Sequence, residues 1–412
     1  MIDQFFTHPR VLQRLRSGPL GPHMDSVAGQ LLELGFTRQN SGPHQIRLLD
    51  ELSQWLERRG LGADCLNEDR VREFLDQLRR GRWLREAKAG WRLLLKHLRD
   101  RGLVPLRQEE VEEADCYRLE CEFARYLVEQ RGLARKSVQL YLAPVHGFLC
   151  ERFGPGPLSL SELTAGDVTR FVIRSCHSTA KGSASVLVPA LRSFLRFLHL
   201  RGDLAIDFAA AVPSAARWRL SGLPKSLPAE QVEQLLAACD RNRPVGLRDY
   251  SVLLLFARLG LRAGEVAALQ LEDLDWRAGE LTVHGKGSRE DRLPILQDVG
   301  EALTAYLCYG RPRCLARNVF VRCKAPYQEL GNVSSVTTIV ERAVKRARLN
   351  PPVKGAHLLR HSLACEMLRR QASLGEIGEI LRHRLPSTTE IYAKVDFEAL
   401  RTVAQPWPGA QP

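Results

Sequence analysis

The 412-residue chain lacks several patterns that would settle its class early. Its ten Cys include no Cys-x-x-Cys pair, so neither a zinc module nor a disulfide framework is indicated. Free thiols in a reducing cytoplasm are the simplest reading of that scatter. No apolar run reaches the length of a membrane span. Asp3 stands early and no long apolar stretch follows it, so the start does not read as a secretory signal. Acidic residues are outnumbered, 47 against 60 Lys and Arg, for a net charge of +13. That excess favours a polyanionic partner without proving one. Hydrophobic content of 44% and the length suggest two or three folded domains.

Residues 1–23 carry Pro9, Gly18, Pro19, Gly21 and Pro22 and read as an extended arm. Helical spacing follows, with stops at Gly35, Gly60 and Arg101-Gly102. The next segment repeats this plan. A shift of 97 residues superposes Leu31 on Val128, Gly35 on Gly132, Leu52 on Leu149, Leu66 on Leu163, Val71 on Val168 and Phe74 on Phe171. Arg101-Gly102 matches Arg201-Gly202 at a shift of 100. Duplication of a four-helix unit accounts for this; so does chance agreement between two amphipathic helix sets. The acidic join at residues 108–113 reads as a solvated linker or helix start. A second stretch, 205–227, is rich in Pro, Ala and Gly and lacks helical period, as an interdomain linker would.

Further on, Pro228 fits the first turn of a helix, and another helix runs from about Leu247 to Leu259, where Gly260 breaks it. Arg262 then sits on the turn into the next helix, with Glu265 at helical spacing, able to brace it or a nearby His, or to form no more than a surface ion pair with it. Leu281 and Val283 alternate against Leu293 and Ile295 across Gly285-Lys286-Gly287-Ser288, which predicts a β-hairpin with Lys286 at its tip. The chemistry concentrates in the stretch His357-Leu358-Leu359-Arg360-His361, then Leu381-Arg382-His383, then Thr388 to Tyr392. A phenol has a pKa of ~10 and needs cations nearby to become a nucleophile or to stabilise what it attacks. Guanidiniums and imidazoles before Tyr392 suit attack on a phosphodiester, where charge builds on non-bridging oxygens. His-x-x-Arg by itself proves little, because it also occurs at His44-Gln45-Ile46-Arg47. Ser387 and Glu390 fit a capping box, placing Tyr392 on the first turns of a short helix.

The ordered set Arg262, Lys286, His357, Arg360, His383 and Tyr392 resembles that of the tyrosine recombinase (phage integrase) family. The resemblance covers about 225–405 strongly and about 117–205 more weakly. It implies a mainly α fold with a small β-sheet in a mixed α/β catalytic domain, preceded by SAM-like helical core DNA-binding units. The expected division is 1–110 as an N-terminal helical domain, a duplicate of the core-binding unit if the repeat is not chance, 111–207 as the core-binding domain, 208–227 as linker, 228–405 as catalytic domain and 406–412 as tail.

The resemblance also implies a mechanism. Tyr392 attacks the scissile phosphate to form a 3′-phosphotyrosyl link and free a 5′ hydroxyl, and a partner strand reverses the step. Neither ATP nor a metal is needed. Arg262 and Arg360 bind the non-bridging oxygens, His357 serves as base or proton relay, His383 hydrogen-bonds the phosphate and Lys286 is the general acid. Glu265 supports, and His361 stays outside the site. The implied partner is double-stranded DNA, held by a homo-tetramer or by a mixed tetramer with related recombinases, in integration, excision or transposition of a mobile element. Arg135, Lys136 and Lys181 are candidate phosphate contacts. One departure stands out: the family usually has Gly before the second His, and this chain has Arg382. A nicking-closing topoisomerase-like enzyme and a silent DNA-binding protein are the competing readings.

Overall fold

The computed structural model describes every residue except 40, 78–82, 105–114, 155, 157, 179–183, 214–221, 286–288, 332, 352, 354, 396–399 and 402–412. The described residues are mainly helical, with one three-stranded antiparallel sheet, as the sequence led one to expect. None of their helices is long and apolar enough to cross a membrane. Two compact units result: residues 1–106 together with 222–412, and residues 107–221.

The first block holds α1 (Pro9–Arg16), α2 (Gly21–Glu33), α3 (Ser41–Arg58), α4 (Glu68–Gln77) and α5 (Trp83–Asp100). The expected extended arm is therefore wrong. Pro9 and Pro22 start helices, where a missing N–H costs nothing. Ile2, Leu15 and Leu20 are buried in the same core as Leu31, Leu52 and Trp55. The second His-x-x-Arg copy is structural, with Arg47 over the Phe6 ring at 5.7 Å. This block meets the C-terminal part through backbone: the Tyr327 N–H donates to the Leu34 carbonyl at 2.8 Å, and Ala325 packs on the N-terminal core. Gly35, at φ +86°, makes room there, since a Cβ would lie 2.0 Å from the Tyr327 ring.

The second unit holds α6 (Asp115–Glu129), α7 (Arg135–Phe153), α8 (Ala165–Ser178) and α9 (Ala184–Arg201) around Phe123, Phe148, Phe171, Phe194 and Phe197. Its element order, with a 3-10 turn between the second and third helices, repeats that of α2 to α5. Leu52 and Leu149, Leu66 and Leu163, Val71 and Val168, and Phe74 and Phe171 are buried in both copies. The Leu31–Val128 match fails: Val128 is exposed, and the buried counterpart is Leu127. Arg135 and Lys136 open α7 and are exposed. Lys181 and the acidic join lie outside the described residues, as do linker residues 214–221 and all of the tail.

The C-terminal part is built on α11 (Pro244–Leu259), buried along nearly its whole length, with α10 (Ala229–Ala237) before it and α12 (Ala263–Ala268) after it. β1 (Leu274–Asp275), β2 (Glu280–His284) and β3 (Glu290–Pro294) follow. β2 and β3 pair from Glu280 with Pro294 to His284 with Glu290, which is the expected hairpin, and Leu281 and Val283 point into the core. The tip residue Lys286 lies outside the described residues. α13 (Gln297–Ala305), α14 (Val333–Arg346), α15 (Ala356–Arg369) and α16 (Leu374–Ile380) complete the part. Two 3-10 turns, Pro386–Thr388 and Glu390–Val395, lead to and carry Tyr392. Ser387 sits inside the first of them rather than capping a helix.

Candidate active site

Two helix C-termini converge to make the site. α11 ends at Gly260 in the left-handed conformation, φ +56°, where glycine is favoured. A side chain there would also press on Leu381, since a Cβ would lie 2.7 Å from its Cδ2. α16 ends one residue before Leu381 and two before Arg382. Carbonyls at such ends are unpaired and carry partial negative charge, so cations gather on them.

Arg262 caps α12. Its N–H donates to Glu265 Oε2 at 2.7 Å, its Nη1 to Oε1 at 2.6 Å, and its Nη2 to the Arg382 carbonyl at 3.1 Å. The Arg262 side chain remains 39% exposed, open to a ligand. Burial alone would raise the Glu265 pKa, but the Arg262 N–H and the Arg382 and Arg262 guanidiniums outweigh it and hold the carboxyl below its ordinary range.

α15 supplies three side chains from its first two turns. Arg360 is 3% exposed and donates from Nη1 to the Gly260 carbonyl and from Nη2 to the Leu381 carbonyl. Burial, then repulsion from Arg262 and Arg382, pushes it down to about 10, so it stays cationic at neutral pH. His357 and His361, four residues apart, share one helix face with ring centroids 6.2 Å apart. Crowding by protein atoms, then Arg360 and Arg262, lowers the His357 pKa, although the residue as a whole is exposed.

Tyr392 is not poised at the surface. It is 1% exposed and packs in a small core with Ala364, Cys365, Ile377 and Leu381. Its hydroxyl lies 2.8 Å from His361 Nδ1. Burial, and the nearby Cys365 thiol, push the phenol up to about 12 against the pull of Arg360. Burial, then His357 and Arg360, hold His361 down at about 4, so at neutral pH it is uncharged, and in the tautomer protonated on Nε2 its Nδ1 accepts the phenolic proton. His383 stacks parallel to Tyr392 at 6.5 Å, and its Nδ1 meets Thr389 Oγ1 at 2.8 Å. Burial, then Arg360 and Arg262, lowers it to about 4 as well.

The structure thus gathers Arg262, Glu265, His357, Arg360, His383 and Tyr392, while Lys286 lies outside the described residues. His361, left outside the site by sequence alone, is the residue on the phenol oxygen. Its signal was its place four residues after His357, on the same helix face. Arg382 and buried Thr389 are the other participants that motif spacing did not reveal. No group of three or more His, Cys, Asp or Glu among the described residues could hold a metal ion.

A phenol against a neutral imidazole, with guanidiniums at hand for developing oxyanion charge, is equipped for covalent attack on a phosphodiester. Comparison with known proteins agrees. Residues 225–399 match the model of the phage integrase family. The chain is 41% identical over 400 residues to the protein named "Putative integrase/recombinase y4rA" of Sinorhizobium fredii, covering 97% of each. It is 30% identical over 292 residues to the tyrosine recombinase XerC of Lactobacillus delbrueckii subsp. bulgaricus, covering 68% of this chain and 96% of that one. Among solved structures, XerH bound to its palindromic difH substrate in a post-cleavage complex superposes with TM-score 0.54 at 18% identity, covering 72% of this chain and 90% of that one. The lambda integrase dimer on a core site gives TM-score 0.51 at 17% identity, with coverage of 67% and 94%. These two likenesses bear on the fold. The chain belongs to the phage integrase family, the tyrosine-type site-specific DNA recombinases.

Proposed function

We propose that Tyr392 is the nucleophile with which this recombinase cuts and rejoins DNA strands. The single observation that carries the assignment is the Tyr392 hydroxyl on His361 Nδ1, in a site lined by Arg262, Arg360 and His383. The phenol oxygen attacks the scissile phosphorus and the bond to the 5′ oxygen breaks, leaving a 3′-phosphotyrosyl link. The phenolic proton passes to imidazole: His361 holds it in the resting arrangement, and His357, one turn earlier on the same face, relays it. Arg262 and Arg360 stabilise the charge on the non-bridging oxygens, fixed by bonds to Glu265 and to backbone carbonyls so that little reorganisation is needed. His383 donates to the phosphate, held by Thr389. Lys286 protonates the departing 5′ oxygen. Attack by the 5′ hydroxyl of a partner strand reverses the sequence and rejoins the strands.

In this reading, residues 111–207 grip duplex DNA, with Arg135 and Lys136 at the start of α7 as phosphate contacts. Residues 1–110 are a second copy of that unit, supported by the shared element order and matched buried positions. A tetramer on two duplexes, of this chain alone or with related recombinases, carries out exchange for a mobile element. Incubating the purified chain with end-labelled DNA from its element's termini tests the chemistry. The expected result is a denaturant-stable adduct at Tyr392, released as a deoxyribo-oligonucleotide joined through its 3′ phosphate. Exchange between two duplexes separates recombination from mere nicking and closing. An adduct-free wild-type chain would sink the reading.

A further inference from the structure

Residue 382 holds a left-handed backbone, φ +53°, which favours glycine; a long side chain accepts strain there. The Arg382 side chain is nonetheless folded inward and only 6% exposed. Its Nη2 donates to Glu265 Oε2 at 2.9 Å, and its Nη1 to the carbonyls of Leu259 at 3.3 Å and Ile380 at 3.2 Å. Arg360 bridges the very next carbonyls in both segments, those of Gly260 and Leu381. Two guanidiniums therefore staple the same two helix ends, one residue apart. Arg382 reaches Arg262 as well, since its backbone carbonyl accepts from Arg262 Nη2 at 3.1 Å. The Glu265 carboxylate is shared, one oxygen taking the Arg262 side chain and the other the Arg382 side chain.

We propose that Arg382 is a positioning residue of the recombinase site: it orients Arg262 through the shared Glu265 carboxylate and through its own carbonyl, and braces Arg360 as a second staple. This rests on the function proposed above and adds a component to it. Arg382 has no open path of its own to a ligand; Arg262 does. The buried Nε of Arg382 has no hydrogen-bond partner among the described residues. What its contacts have in common is the geometry of the other two arginines. Displacing a reacting or stabilising group by about 1 Å can cost about a hundredfold in rate.

The test is a set of three variants, Arg382→Gly, Arg382→Lys and Glu265→Gln, and the double variant Arg382→Gly with Glu265→Gln. Glycine relieves the backbone strain, so this variant is expected to fold. For each, single-turnover adduct formation at saturating DNA, DNA affinity and the melting temperature are measured. The expected result for Arg382→Gly is an adduct rate about ten- to a hundredfold lower, with affinity within about threefold of wild type. Lysine keeps the charge but cannot span Glu265 and two carbonyls together, so it should not restore the rate. Because part of the Arg382 effect passes through Glu265, the double variant should lose less rate than the product of the two single losses, and the two changes should be non-additive in melting temperature. A wild-type rate for Arg382→Gly would overturn the proposal. So would full rescue by lysine, additive losses in the cycle, or equal losses of rate and affinity. If the wild-type chain forms no adduct, the recombinase chemistry fails instead, and additive melting temperatures would still overturn the Arg382 proposal by themselves.

Discussion

His361 Nδ1 stands 2.8 Å from the Tyr392 hydroxyl, joining α15 to a 3-10 turn 31 residues later. Tyr392→Phe removes only that oxygen. Covalent attachment to DNA should vanish while affinity changes little. Leaving the imidazole unpaired should cost about 1 kcal/mol of stability. Gel separation under denaturing conditions, beside a binding titration, checks both; an adduct formed by the Phe variant would show that another residue attacks.

Arg262→Ala and Arg360→Ala should both slow adduct formation far more than they weaken binding. Loss of one donor aimed at transition-state charge costs roughly 2.7–4 kcal/mol, a hundred- to a thousandfold. The two should differ in stability. Arg360 is buried on the carbonyls of Gly260 and Leu381, so its removal should also lower the melting temperature, whereas Arg262 is partly open. Equal loss in rate and binding would reassign either residue to simple grip on the backbone.

His361 and His383 both titrate near about 4 in the folded chain, against ~6.5 when unfolded. Between those values the unfolded chain binds more protons. Stability from this source is complete above about 6.5 and declines as pH falls toward about 4. A His361→Asn, His383→Asn double variant should therefore show a shallower fall in melting temperature from pH 7 to pH 5. A slope unchanged from wild type would contradict the depressed values.

Gly35→Ala should loosen the seam between the N-terminal block and the C-terminal part, because the new methyl would meet the Tyr327 ring. Hydrogen exchange at the Tyr327 amide, which donates to the Leu34 carbonyl, should speed up well before either core opens. Protection equal to wild type would mean the seam absorbs the methyl.

Deleting residues 1–110 uncovers Ala325 and Tyr327. If the block also touches flanking DNA, the truncated chain should cleave a minimal half-site and give a shorter nuclease footprint. An unchanged footprint in a well-folded truncation would leave the block with a packing role only.

Much of this arrangement could be read before any coordinates. Periodicity located α11 and its stop at Gly260, and the interval from Arg262 to Glu265 foretold their bond. Hidden features depend on contacts between distant segments. Proline-rich residues 1–23 looked unstructured, yet Ile2 and Leu20 complete a core whose other members come from α2 to α5. Residue spacing put His361 beside His357 but could not bring Tyr392 back onto it. Arg382 stood out only as an unexpected non-glycine; its inward path depends on two helix ends meeting.

Tyr392 serves as a filler of the core between α15 and α16, so the nucleophile role proposed for it would tie reactivity to folding. Were the phenol to attack a phosphate outside that core, its ring would have to leave, and uncovering a large side chain costs about 1.5–3 kcal/mol. On that reading DNA contacts would supply that energy, and a chain adrift in solution would keep its own blade sheathed. Substitutions that slacken the packing of Ile377 or Leu381 would lower this safety catch, and a better cutter would then be a less discriminating one.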